Sequence, residues 1–130
     1  QPYKNDVSVR VSVVPAFMRD MQALLTREYP QIEVVWFGHI GDGNLHINIL
    51  RPAALSEDAF IAQCEHVTQL LAATLQRHGG SISAEHGIGL VKRAYLWSTR
   101  STAEIELMRG VRKVFDPNGI LNPGKLFVDH

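Results

Sequence analysis

The length and composition of the chain are those of one small globular domain. It has 130 residues, of which 45% are hydrophobic and 20% charged, and no apolar run approaches the ~20 residues of a membrane-spanning helix. Thirteen Lys and Arg residues balance thirteen Asp and Glu residues, and this zero net charge argues against nucleic acid and anionic membranes as main partners. Cys64 is the single cysteine, which excludes an internal disulfide and a thiolate zinc site and is compatible with a reducing compartment.

The first fifty residues predict a strand, a helix and a hairpin. Residues 6–14 alternate Val with mostly polar residues, which is typical of a strand with one buried face. Pro15 suits the first turn of the helix that follows, and Pro30 ends this helix. Residues 32–40 and 45–50 predict two further strands.

The rest of the chain predicts a long helix, a small fourth strand and a C-terminal helix. Ser56 caps the long helix, which ends at Gly79, and residues 81–84 form the small strand. Ser101 and Glu104 form a capping box, and the inner face of the helix that it opens is expected to hold Ile105, Met108, Val111 and Phe115. This order predicts an α+β fold of the ferredoxin-like split βαβ type, with an antiparallel sheet, helices on one face and additional C-terminal helices.

Two histidines flank the turn of the predicted hairpin. Asp42-Gly43 between two strands favours a two-residue turn, which places His39 directly opposite His46. Facing side chains share one side of the sheet, and Asn48 shares that side because it lies two residues further on. Two imidazoles in this arrangement can bind one metal ion, although a plain pair of exposed histidines is the alternative.

A second segment strengthens the metal hypothesis. Glu85 and His86 are adjacent and are followed by glycines that allow other groups to approach. Two His and one Glu are the ligands of an open catalytic zinc site, which leaves His86 as an acid or base beside the metal. The alternative for Glu85-His86 alone is a solvated loop pair.

Three motifs, taken together, resemble a known family. Residues 38–46, 83–89 and 116–125 resemble, in order and spacing, the C-terminal domain of FAD-linked oxidases of the vanillyl-alcohol oxidase type. That group includes D-lactate dehydrogenase, D-2-hydroxyglutarate dehydrogenase and the glycolate oxidase D subunit. The resemblance implies oxidation of a D-2-hydroxy acid to a 2-oxo acid, with hydride transfer to FAD. It also implies roles for seven residues: the zinc ligands His39, His46 and Glu85, the base His86, the substrate contacts Lys4 and Asn48, and the flavin-side tail residue Asn122.

The resemblance also implies what lies outside this sequence. The family's FAD-binding domain is expected to precede residues 1–130 in a longer parent chain, so these residues alone are expected to bind no FAD and to be inactive. The electron acceptor is unknown, a homodimer is an open option, and the expected location is cytoplasmic, or peripheral to the inner membrane through electron-acceptor partners. Two alternatives remain: a stand-alone metal-binding or interaction module, and a zinc hydrolase that uses the same ligands without flavin.

Overall fold

A computed structural model describes residues 2–128 and shows an α+β fold, as the sequence predicts. The sheet is antiparallel, with strand order β1-β3-β2. Its strands are β1 (Tyr3–Ser8), β2 (Glu33–Phe37) and β3 (Asn44–Leu50), and the helices are α1 (Val14–Glu28), α2 (Glu57–His78) and α3 (Thr102–Phe115). None of the helices between residues 2 and 128 has both the length and the apolar character that crossing a membrane requires.

The predicted fourth strand is reduced to one bridge. Ser8 and Ser81 exchange two backbone hydrogen bonds of 3.0 and 2.7 Å beside β1, on the side away from β3. Beyond this bridge, the Lys92 ammonium donates to the backbone carbonyls of Asp6 and Ile82 at 3.1 and 2.7 Å. The chain therefore keeps the strand order of the split βαβ plan. The Lys92 side chain joins β1 to the segment around Ile82, where a longer fourth strand would continue.

Strand β1 begins and ends earlier than predicted. It covers Tyr3–Ser8, and a 3-10 turn at Val11–Val13 leads directly into α1. Val9 is buried but Val11 is 50% exposed, so the alternation of Val residues extends beyond the strand. The physical reason is Pro15 in the first turn of α1, because the chain must leave the sheet before it can enter the helix there.

The register of the β2–β3 hairpin is shifted by two residues from the predicted register. His46 lies opposite Phe37, and His39 exchanges two backbone hydrogen bonds with Asn44, which leaves four residues in the loop. The predicted two-residue turn was therefore wrong. Because side chains alternate with a period of two, a two-residue shift keeps His39 and His46 on the same side of the sheet.

Gly43 explains why the loop takes this shape. Ile40–Asp42 form a 3-10 turn, and Gly43 alone follows it in the left-handed conformation, at φ +68°. A two-residue hairpin turn would require a positive φ at Asp42 as well. A Cβ atom at Gly43 would lie 1.8 Å from the backbone oxygen of Val9, so the loop packs against the backbone just after β1 only with glycine at this position.

The core lies between one face of the sheet and helices α1 and α2. Ser56 caps α2 through its side chain and Gly79 ends it in the left-handed conformation, as predicted. The two helices bury apolar side chains in this core: Phe17, Met21, Leu25, Phe60, Cys64, Val67, Leu71 and Leu75. The opposite face of the sheet carries Lys4, Asp6, His46 and Asn48, with Val35 and Phe37 of β2 beside them.

Helix α3 lies outside this core. Its capping box between Ser101 and Glu104 is confirmed, but none of its residues is buried. Val111 and Phe115, expected on an inner face, are 59% and 78% exposed, so this expectation was wrong for the described residues. Amphipathic spacing shows that a helix has an apolar face, and it does not show what covers that face.

Candidate metal and substrate site

The polar face of the sheet brings together the side chains that the sequence singles out. Its middle strand, β3, carries His46 and Asn48 on this face. The strand register places Asp6 of β1 opposite His46 and Lys4 opposite Asn48. Paired residues share a face of the sheet, so the four side chains form two adjacent rows.

Three potential ligands converge at the hairpin end of this face: His39, His46 and Glu85, here called the ligand triad. One donor atom from each lies within 4.8 Å of the other two. The Oε1 atom of Glu85 is 3.8 Å from Nε2 of His39 and 3.9 Å from Nε2 of His46. Ligands of a tetrahedral zinc ion with bonds of ~2.0–2.1 Å are roughly 3.3 Å apart, so these two distances are about half an ångström longer than a bound ion requires.

The exposure of the triad agrees with an open metal site. The side chains of His39 and Glu85 are 68% and 47% exposed, whereas that of His46 is 22% exposed and stacks on Phe37 with a ring separation of 4.9 Å. His46 is therefore the least exposed of the three ligands. Because the three donors are two imidazoles and one carboxylate, the triad fits a divalent metal ion and leaves a coordination position for another ligand.

Two buried polar residues hold the triad, and the sequence predicted a role for neither. The Asn44 amide donates to Oε1 of Glu85 at 2.5 Å, and the backbone N–H of Glu85 donates to Oδ2 of Asp6 at 3.0 Å. The other oxygen of Asp6, Oδ1, lies 3.4 Å from Nδ1 of His46. Asp6 lies two residues after Lys4, and this period of two could have placed it on the face of Lys4, but its partner depends on the register.

Lys92 adds a partly buried positive charge beside Asp6. Its ammonium group is held between two backbone carbonyls that belong to Asp6 and Ile82. Burial lowers the pKa of Lys92, and the negative charge of Asp6 partly opposes this shift. Lys92 therefore joins β1 to the segment that leads to Glu85.

The structure places two of the remaining predicted site residues on the face of the triad, one in the exposed segment of Glu85 and one in the C-terminal tail. Lys4 is exposed and Asn48 half-buried, on the same face as His46. His86 is exposed; its backbone carbonyl accepts a hydrogen bond from the Ser83 hydroxyl, and we find no hydrogen bond to its imidazole among residues 2–128. Asn122 lies in the C-terminal tail, where its carbonyl accepts from Arg112 of α3, so the structure does not join it to the triad.

Fold and site together define an α+β domain that presents a His-His-Glu donor set on an open sheet face. Residues 1–126 match the family described as FAD linked oxidases, C-terminal domain. The chain belongs to this family, as its three motifs indicated.

Relatives of known name cover almost the whole chain. It is 67% identical over 129 residues to D-2-hydroxyglutarate dehydrogenase from Xanthomonas citri pv. viticola, a match covering 99% of this chain and 27% of that protein. It is 57% identical over 126 residues to D-2-hydroxyglutarate dehydrogenase from Stutzerimonas stutzeri, covering 97% and 27%. The mitochondrial D-2-hydroxyglutarate dehydrogenase of Danio rerio is 38% identical over 128 residues, covering 98% and 23%. The chain thus spans about a quarter of the length of these relatives.

Proposed function

We propose that this domain is the metal- and substrate-binding part of a flavin-dependent dehydrogenase that oxidises a D-2-hydroxy acid to a 2-oxo acid. The observation that carries the proposal is the convergence of His39, His46 and Glu85 on an open sheet face. Relatives named D-2-hydroxyglutarate dehydrogenase, at 67% and 57% identity, support D-2-hydroxyglutarate as the substrate to test first.

The ligand triad would hold the metal, for which we propose zinc. When bound, zinc polarises the oxygens of a substrate and lowers the pKa of its hydroxyl group, and FAD bound by the FAD-binding domain accepts a hydride. We propose that this FAD-binding domain belongs to the same longer chain and that Asn122 contacts the flavin side of the assembly. Cytoplasmic location and a homodimer stay predictions.

Lys4 and Asn48 would bind the substrate beside the triad. They are cross-strand partners of β1 and β3, one row along the polar face from the pair of Asp6 and His46. The exposed ammonium of Lys4 can pair with a carboxylate, and the amide of Asn48 can donate to or accept from a substrate oxygen. A carboxylate held there places the hydroxyl-bearing carbon of a 2-hydroxy acid toward the triad.

His86 would move the proton. Its imidazole projects from the exposed segment that also carries Glu85, and it is not one of the three converging donors. We propose that it takes the hydroxyl proton of the substrate as the α-hydrogen leaves with its bonding electron pair, so that the alcohol becomes a ketone. This assigns separate roles to two adjacent residues: Glu85 binds metal and His86 accepts a proton.

The experiment that tests the proposal measures zinc content and turnover of D-2-hydroxyglutarate together in the intact flavoprotein. In Glu85→Gln, we expect weaker zinc binding and lower activity, with part of the activity restored by excess zinc through mass action. In His86→Ala, we expect normal zinc content and turnover reduced by ~10²–10⁴-fold, the usual cost of a lost acid or base.

His66→Ala serves as the matched histidine control, because His66 of α2 pairs with Tyr29 and not with the triad. This variant should keep both zinc content and turnover. Zinc lost from His86→Ala but retained in Glu85→Gln would mean that the two roles are reversed. A wild-type protein that turns over D-2-hydroxy acids with no bound divalent metal would refute the metal site.

A further inference from the structure

The carboxylate of Asp6 is buried between two members of the ligand triad. Asp6 lies opposite His46 in the strand register and is 9% exposed. Its Oδ2 atom accepts the hydrogen bond from the backbone N–H of Glu85. Its Oδ1 atom is buried and has no hydrogen-bond partner among the described residues, although Nδ1 of His46 is only 3.4 Å away.

A buried carboxylate oxygen without a partner requires a physical explanation, because burial of an uncompensated polar group costs free energy. The nearby Lys92 ammonium does not supply the missing bond, since it donates to the backbone carbonyl of Asp6. A candidate donor 3.4 Å away is Nδ1 of His46, and it can donate only if that nitrogen carries the proton.

The two nitrogens of His46 face different groups. Nδ1 is next to Asp6, whereas Nε2 is 3.9 Å from Oε1 of Glu85, on the side of the triad. Resting on the proposed metal site, we infer that Asp6 is a positioning residue that holds His46 in the Nδ1–H tautomer and so presents the unprotonated Nε2 to the metal. The hydrogen bond that one imidazole nitrogen makes sets which nitrogen is available as a ligand.

A carboxylate is suited to this position because it accepts on both oxygens. Asp6 can accept from the Glu85 backbone and from His46 at once, and thereby fixes two ligands of the triad through one side chain. An asparagine has one acceptor oxygen and one NH₂ group. Asp6→Asn must therefore either lose the bond to Glu85 or place a donor against Nδ1 of His46, which favours the opposite tautomer.

The test combines nitrogen-15 NMR of labelled histidine with zinc titration of the 130-residue chain. In mildly alkaline buffer without metal, we expect wild-type His46 to carry its proton on Nδ1, and Asp6→Asn to lose this tautomer. Zinc alone, titrated against a chromophoric chelator, should bind Asp6→Asn ~10–100-fold more weakly than wild type, as is usual when a metal-bound histidine loses its carboxylate partner.

Asp20→Asn is the matched control, because the chain contains a second Asp–His pair away from the site. Oδ2 of Asp20 in α1 lies 2.7 Å from Nε2 of His78 in α2. The same chemical exchange there should change the NMR signals of His78 and leave the tautomer of His46 and the zinc affinity unchanged. A general loss of folding would change the NMR signals of both His46 and His78. The specific effect of Asp6→Asn should be limited to the tautomer of His46 and the zinc affinity.

Each outcome separates this inference from the proposed function. If metal-free wild type shows His46 with its proton on Nε2, the role of Asp6 is refuted, even if Asp6→Asn does not fold. If wild type binds zinc and Asp6→Asn binds it equally with an unchanged tautomer, the inference is again wrong while the metal site stands. If wild type binds no zinc, the proposed metal site is wrong, and the inference falls with the site on which it rests.

Discussion

The two faces of strand β3 have different tasks although their residues alternate along one strand. Leu45, Ile47 and Ile49 are at most 5% exposed and pack in the core with α1 and α2. His46 and Asn48, between them, lie on the face of the ligand triad and are only half-buried. A period of two thus separates stability from chemistry at neighbouring positions. Mutation can test this separation. A substitution on the core face should change stability without changing zinc or substrate binding, and a substitution on the polar face should do the reverse.

The largest expected effect comes from the core face. Ile47→Ala should lower the free energy of unfolding by ~2–5 kcal/mol, because it removes a fully buried side chain and leaves a cavity. Urea unfolding of the 130-residue chain measures this loss. Zinc affinity of the molecules that remain folded should not change, since Ile47 points away from the triad.

Asn48→Ala, one position along the strand, is the matched exchange on the polar face. It should change the free energy of unfolding by less than ~1 kcal/mol, because Asn48 is only half-buried, and in the intact enzyme it should raise KM for the substrate. Equal destabilisation by Ile47→Ala and Asn48→Ala would show that the two faces do not divide these tasks.

An effect smaller than that of Ile47→Ala is expected at Lys92, which supports the polar face of the sheet. Lys92→Met removes the donor shared by the carbonyls of Asp6 and Ile82 and should lower the free energy of unfolding by ~1–3 kcal/mol. Lys113→Met on exposed α3 is the control and should have little effect. Thermal unfolding of both variants provides the comparison, and equal melting temperatures would show that Lys92 does not join β1 to the Glu85 segment.

Local signals in the sequence predicted the helices well and the strand pairings less well. The cap at Ser56, the left-handed Gly79 and the capping box at Ser101 act within a few residues, so the sequence displays them directly. The register of His46 depends on how Gly43 packs against the backbone of Val9, 34 residues earlier, which no local pattern shows.

In the candidate site, too, local features could be predicted and long-range contacts could not. His39, His46 and Glu85 could be named because their residue types are those of metal ligands, and the period of two kept both histidines on one face despite the wrong turn. The supporting contacts of Asp6 and Asn44 join segments about 40 to 80 residues apart in the chain, and such pairings become visible only in the fold.

The last predicted effect is a pH dependence of stability that arises in the core. Burial raises the pKa of the Cys64 thiol from 9.0 to about 11. Between these values the unfolded chain loses the thiol proton while the folded chain retains it, so the folded state binds more protons and its stability falls as pH rises. The contribution of Cys64 is therefore fully present below pH 9 and is lost toward pH 11.

Cys64→Ala isolates this contribution. The variant should be less stable than wild type at neutral pH, because it leaves a small cavity in the core, and the difference should narrow as pH rises from 9.0 to about 11. Tyr95, whose pKa is also raised mainly by burial, is present in both chains and cancels in the difference. Urea unfolding of both chains across this range measures the gap. A gap that stays constant would mean that the Cys64 thiol is not shielded from water, and that α2 closes the core face less tightly than the buried side chains indicate.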